Sequence, residues 1–187
     1  MAEHVCPLWV GYLLISPLRK LLQNPQKILA EYVKEGMTVL EVGPALGFFS
    51  LPMARMVGKK GKVVCVDLQE KMLRKLLKRA AKKGLAGPIE TRACAADSLG
   101  IDDLSGQVDF VLAFAVVHEV PAKQKLLSQV ARALKPGGKL LIAEPKNHVP
   151  VELFDEIKAI ALAQGLEEIG SPQIGSSLTT LFIKRAE

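Results

Sequence analysis

Two adjacent side chains stand out for their chemistry, His118 and Glu119, in the run Ala113-Phe-Ala-Val-Val-His-Glu-Val120. They follow an apolar stretch and sit on the loop that leaves it. An imidazole titrates near neutrality, which suits it to take a proton from a reacting group. The other role open to His118 is to pack on a bound ligand or to hydrogen-bond a loop carbonyl. A second feature is Val39-Leu-Glu-Val-Gly-Pro-Ala-Leu-Gly-Phe48. A buried run enters a glycine-containing turn, and a helical pattern opens after it. Such a turn lets a ligand approach the backbone, with the free amides of the helix start facing it; otherwise it is a plain tight turn. The third feature is Asp67, closing Val63-Val-Cys-Val-Asp 24 residues after Gly43. A carboxylate there can accept two hydrogen bonds from ribose hydroxyls, and it can also cap the next helix.

The elements that must position these groups alternate short β-rich runs with longer helical ones. Strands are expected at 38–42, 62–67, 89–93, 108–114 and 139–143, and near 166–169 and 178–184. Helices are expected at 48–57, 69–83, 121–134 and 150–164. Met72, Leu73, Leu76, Leu77 and Ala80 form one apolar stripe on the second of these. Pro52 must lie in a first turn or kink its helix. Lys135-Pro-Gly-Gly138 is expected to form a turn before the fifth strand. Strands separated by helices imply right-handed crossovers. The expected fold is α/β, a seven-stranded, mostly parallel, doubly wound sheet with helices on both faces. The last two strands, joined by a short stretch, should pair antiparallel. Residues 1–36 look like a short helical extension, with helices around 12–22 and 25–34. The whole chain, 1–187, reads as one domain.

Four motifs in order carry a resemblance: Glu41-Val-Gly-Pro-Ala-Leu-Gly47, Val66-Asp67, Ala96-Asp97 and Leu134-Lys-Pro-Gly-Gly-Lys139. Together they resemble the class I S-adenosylmethionine-dependent methyltransferases, in particular the group with the ubiquinone/menaquinone and arsenite methyltransferases. The resemblance covers residues 38–185. It implies S-adenosylmethionine as cofactor, with Glu41 ordering the loop near the methionine amino group. Gly43, Ala45 and Gly47 would line the amino-acid and ribose moieties. Asp67 would hold the ribose diol, with Leu68 against the adenine. Asp97 would accept from the adenine amine, with Ala96 and Ser98 nearby, and Ala113 and Phe114 would flank the methionine part. The family has a glycine where this chain has Ala45. That methyl crowds the cofactor unless the backbone φ there is negative.

By the same resemblance the segment before the first strand folds over the cofactor as a lid, where Trp9 and Tyr12 would wall a small acceptor. His4 and Cys6 are two soft ligands but make a poor metal site alone, and no metal is expected. The cysteines Cys6, Cys65 and Cys94 form no zinc or disulfide framework, in keeping with a cytoplasmic protein. The apolar stretch 8–15 is too short to span a bilayer.

The net charge of +6 is concentrated in residues 59–92, which alone hold a net +8. Lys71, Lys75, Lys78 and Lys82 share one face of the 69–83 helix. This reads as a solvated face or as attraction to RNA or an anionic membrane surface; no aromatic residues interleave the charges to stack on bases. The function expected is methyl transfer to a small-molecule acceptor, with His118 as candidate catalytic base. The alternatives are an RNA methyltransferase docking through the basic helix, or a non-catalytic cofactor-binding protein. The Asn/Asp-Pro-Pro-aromatic tetrapeptide typical of base-amine methylation is absent after the fourth strand. A nicotinamide dehydrogenase shares the first-turn geometry, but the spacing Gly43-Pro-Ala-Leu-Gly47 is not GxGxxG.

Overall fold

Apolar residues at every position of a short run bury both faces of a strand, and this chain places such runs centrally. Val39, Leu40, Val63, Val64, Cys65, Val111 and Leu112 are all fully buried. The computed structural model describes residues 23–185. Among these, seven strands form one sheet in the order β3-β2-β1-β4-β5-β7-β6. They are β1 (Thr38–Val42), β2 (Lys62–Asp67), β3 (Ile89–Ala93), β4 (Val108–Phe114), β5 (Leu134–Pro145), β6 (Leu166–Gly170) and β7 (Ser177–Lys184). Strands β1 to β5 pair in parallel. Strand β7 runs antiparallel to both β5 and β6, so one strand is reversed, as expected.

Alternate residues of each central strand feed opposite cores, following the period of two. Leu40, Val64, Val111, Leu140 and Ile142 pack with helices α4 (Lys123–Ala133) and α5 (Val151–Ala163). Val39, Val63, Phe110 and Leu141 pack with α1 (Pro25–Leu29), α2 (Ser50–Val57) and α3 (Glu70–Lys82). Helices thus cover both faces. The stripe on α3 is buried through Met72, Leu73, Leu76 and Ala80.

Four boundaries differ from expectation for physical reasons. Helix α2 begins at Ser50 rather than at residue 48, because residues 45–49 form turns; Pro52 therefore lies in the first helical turn, where its missing N–H costs nothing. Helix α1 stops at Leu29, and residues 30–32 continue as turns. Helix α4 starts at Lys123, two residues after the expected position. Residues 135–138 are not a turn before the fifth strand but a bulge within β5. Val108 pairs with Leu134 and Phe110 with Lys139, so the strand absorbs extra residues there. A side chain at Gly138 would put its Cβ 2.9 Å from the Lys135 carbonyl oxygen and 3.0 Å from that of Val108. The helix expected around 12–22, with Trp9, Tyr12, His4 and Cys6, lies outside the described residues.

The strand order reverses between β1 and β4. The chain winds outward from β1 to β3, then returns to β4 on the other side. The carboxyl ends of β1 and β4 consequently open a crevice.

Candidate functional site

The first wall of that crevice is the loop after β1. Gly43, Ala45 and Gly47 have φ of 69°, 47° and 80°. Gly43 donates from its amide to the Val66 carbonyl at 2.9 Å, tying the turn to the end of β2. A Cβ at Gly43 would lie 2.7 Å from Val116 Cγ2, so the turn packs directly against the loop after β4. At Ala45 the backbone is left-handed. The condition under which its methyl would be harmless is therefore not met, and the side chain sits in a conformation L-residues avoid.

Beneath the turn, Glu41 is 3% exposed. Its Oε2 accepts from the Ser50 hydroxyl, and the Cys65 Sγ lies 3.9 Å away. Burial and the neighbouring Glu41 push the Cys65 thiol well up. Glu41 thus joins β1 to the first turn of α2, which suits a loop-ordering role.

The second wall is the end of β2. Asp67 Oδ1 accepts the Gln69 amide at 2.8 Å, an interaction one residue before α3 begins. Burial raises the Asp67 carboxyl above its ordinary value, opposed by the amides of Gln69 and Ala45. A carboxylate retains acceptor capacity beyond these bonds. Beside it Leu68 is 46% exposed, an uncovered apolar side chain at the mouth. Burial, then Asp67, push the Cys94 thiol up to about 11. Ala96 and Asp97 lie further out. Both are exposed, and Asp97 faces Lys125 of α4 at 3.3 Å. No contact joins Asp97 to Asp67 among the described bonds; the structure sets the two on adjoining segments, with Asp97 on the outer rim.

The third wall is the end of β4. Ala113 is buried and Phe114 half-buried; the Phe114 ring lies 4.6 Å from that of Phe49, centroid to centroid. Ala115 has φ 54° and donates to the Ala143 carbonyl at 2.7 Å. This second left-handed alanine turns the chain sharply into a short 3₁₀ turn, Val117–Glu119. There His118 Nδ1 lies 2.6 Å from Glu144 Oε2. The other Glu144 oxygen accepts the amides of Val117 at 2.8 Å and His118 at 3.3 Å. His118 therefore bonds a carboxylate rather than a loop carbonyl. Burial on its own lowers the His118 pKa, but Glu144, helped by Glu119, more than offsets it and the net direction is up. Glu119 Oε1 is 4.0 Å from His118 Nε2, and burial raises its carboxyl, opposed by His118 and His148. The rings of His118 and His148 meet edge to face at 5.2 Å.

Sequence reasoning missed Glu144, Ser50 and His148. Glu144 had a readable signal, a lone carboxylate closing the apolar run Leu140-Leu-Ile-Ala143, the same pattern that drew attention to Asp67. Ser50 and His148 had none, because their partners come from elsewhere in the chain.

A family model described as a methyltransferase domain matches residues 33–174. The chain belongs to the S-adenosylmethionine-dependent methyltransferases. It is 28% identical to a methyltransferase of that kind from Aquifex aeolicus, known from its crystal structure. The two superpose with a TM-score of 0.85 over 96% of this chain and 100% of the other. Among curated proteins it is similar to ubiquinone/menaquinone biosynthesis C-methyltransferases. Identity is 34% over 112 residues for that of Escherichia fergusonii, covering 60% of this chain and 44% of that protein. It is 31% over 140 residues for that of Francisella tularensis subsp. novicida, covering 73% and 55%. The chain thus spans about half the length of these relatives. No helix among the described residues is long and apolar enough to cross a membrane.

The residues fit the family's cofactor. Left-handed Gly43 and Gly47 leave backbone without side chain in the turn, the Ala45 methyl being a group the cofactor would have to accommodate; Asp67 would offer acceptors to a diol, and uncovered Leu68 an apolar surface to a flat base.

Proposed function

We propose that this protein transfers the methyl group of S-adenosylmethionine to a small-molecule acceptor in the cytoplasm. Glu41, Gly43, Ala45, Gly47, Asp67, Leu68, Ala96, Asp97, Ala113 and Phe114 would hold the cofactor, and His118 would serve the acceptor. The observation that carries the reading is the turn of three left-handed residues beside Asp67, at the crevice where the strand order reverses. Methyl transfer from a sulfonium is an in-line displacement, so alignment of donor and acceptor supplies much of the acceleration. When bound, the cofactor supplies the electrophilic methyl group. The chain's own residues do the rest. The loop amides and Asp67 grip the nucleoside end, half-buried Phe114 flanks the methionine part, and the 3₁₀ turn presents His118 where an acceptor arrives. The free thiols of Cys65 and Cys94 accord with a reducing compartment.

Isothermal calorimetry with S-adenosylmethionine and S-adenosylhomocysteine tests this. Wild-type protein should bind both. Asp67→Ala should bind about 10- to 100-fold more weakly, the loss of one or two hydrogen bonds to a charged acceptor. Absence of binding to folded wild-type protein would refute the proposal.

A further inference from the structure

A buried carboxylate that accepts from two backbone amides and touches an imidazole does more than hold a loop. Glu144 is fully buried at the end of β5. Its Oε1 takes the amides of Val117 and His118, and its Oε2 is spent on His118 Nδ1 at 2.6 Å. With Glu144 accepting at Oε2 as it does at Oε1, the hydrogen of that bond lies on Nδ1. The neutral imidazole then carries its lone pair on Nε2. That nitrogen lies 4.0 Å from Glu119 Oε1.

We propose that Glu144 is a positioning residue that fixes His118 in the Nδ1–H form. His118 Nε2 then removes a proton from the acceptor, so the acceptor is a weak acid of the phenol, thiol or enol-carbon class. This rests on the methyltransferase reading and extends it to the acceptor. In the step, the acceptor X–H bond breaks and its proton passes to Nε2. The X–CH3 bond forms as the S–CH3 bond opens, and that electron pair stays on the sulfur. His118 becomes an imidazolium, stabilised by the anion at Nδ1; the proton leaves to solvent after product release. A neutral lone-pair acceptor such as a tertiary amine has no proton to lose and gains nothing from this arrangement.

Two glutamates and one lysine act on the charge of His118. Glu144 from β5 and Glu119 from the same turn favour its protonated form, while Lys123 at the start of α4 opposes it. Glu119 in turn senses Asp67 and His148. A proton arriving at Nε2 therefore enters a surround in which the two glutamates outweigh Lys123.

The substitution Glu144→Gln separates positioning from scaffolding. The amide oxygen can still accept both backbone N–H groups. Its NH2 group then faces Nδ1 and forces the hydrogen onto Nε2, where it blocks the lone pair. Long-range nitrogen-15 NMR of histidine-labelled protein, assigned with His118→Gln, reads the tautomer without any turnover. Wild type should show Nδ1–H and the variant Nε2–H, with the variant titrating at lower pH. An Nε2–H tautomer in wild type would overturn the proposal.

The acceptor class is read with 4-nitrophenol, which ionises near neutrality and whose anion absorbs apart from its neutral form. With S-adenosylhomocysteine present, wild type should bind it as the anion at a pH below its own pKa. Glu144→Gln should shift this ionisation at least 10-fold toward the neutral form. Failure to bind the probe, or binding it neutral, would overturn the assigned class. Both proteins should bind S-adenosylhomocysteine equally. Loss of that binding in wild type would refute the methyltransferase reading, whereas intact binding with the wrong tautomer refutes the dyad alone.

Discussion

Gly43→Ala should damage this protein through Val116, and the size of the damage can be worked out. The φ of 69° places the new side chain in the left-handed region, which costs about 1–2 kcal/mol. The added Cβ would lie 2.7 Å from Val116 Cγ2 and 3.1 Å from its Cβ. Carbon atoms rest at roughly 3.5–4.0 Å, so the valine must move by most of an ångström, an overpacking cost of about 1–3 kcal/mol. The smaller unfolded-state entropy of alanine returns about 0.4–1 kcal/mol. The net loss is about 1–5 kcal/mol. Val116→Ala removes the Cγ2 methyl at 2.7 Å but keeps the Cβ at 3.1 Å, so the double variant should be relieved of most, though not all, of the packing part of the penalty. Urea denaturation of wild type, both single variants and the double variant gives the coupling, expected at about 1–3 kcal/mol. Losses that add within about 0.5 kcal/mol would refute the claim that these two loops touch. Because Val116 lies two residues before His118, the clash should also weaken S-adenosylhomocysteine binding in Gly43→Ala, and Val116→Ala should restore part of it.

Ala45→Gly relieves left-handed strain worth about 1–2 kcal/mol against an entropy cost of about 0.4–1 kcal/mol. Its unfolding free energy in urea should hold or rise by up to about 1.6 kcal/mol, and a loss greater than about 1 kcal/mol would contradict the geometry at that residue. Ser50→Ala removes the hydroxyl that donates to buried Glu41 and should cost about 1–3 kcal/mol in the same assay; no change would show that the bond is unimportant. The raised His118 pKa gives stability that is complete below the unfolded value of about 6.5 and is lost as pH rises through the folded value. The raised carboxyls of Asp67 and Glu119 have the same sign, so the histidine's part of the slope is the difference between wild type and His118→Gln. Glu144→Gln should flatten that slope, and an unchanged slope would show that Glu144 is not its source.

Local pattern determined much of this molecule. Full burial of Val63, Val64, Cys65 and Val66 follows from an unbroken apolar run, and the stripe on α3 from the spacing of Met72, Leu73, Leu76 and Ala80. The left-handed turn at Gly43 and Gly47 follows from the residue type best able to adopt it. Asp67 could be placed because a carboxylate at the end of an apolar strand is conspicuous in one dimension. What the sequence could not decide were relations between segments far apart in the chain. Glu144 meets His118 across 26 residues, and Gly43 meets Val116 only because β1 and β4 are neighbours in the sheet. The sign of φ at Ala45 was also hidden, since alanine has no preference for the left-handed region and only the packing around it can hold it there. The bulge at residues 135–138 arises in the same way. Its residues read as a turn by composition, but pairing of Val108 with Leu134 draws them into the strand. Side-chain periodicity is a property of one segment, whereas register, backbone strain and charge pairing are set by which segments the assembled sheet brings together.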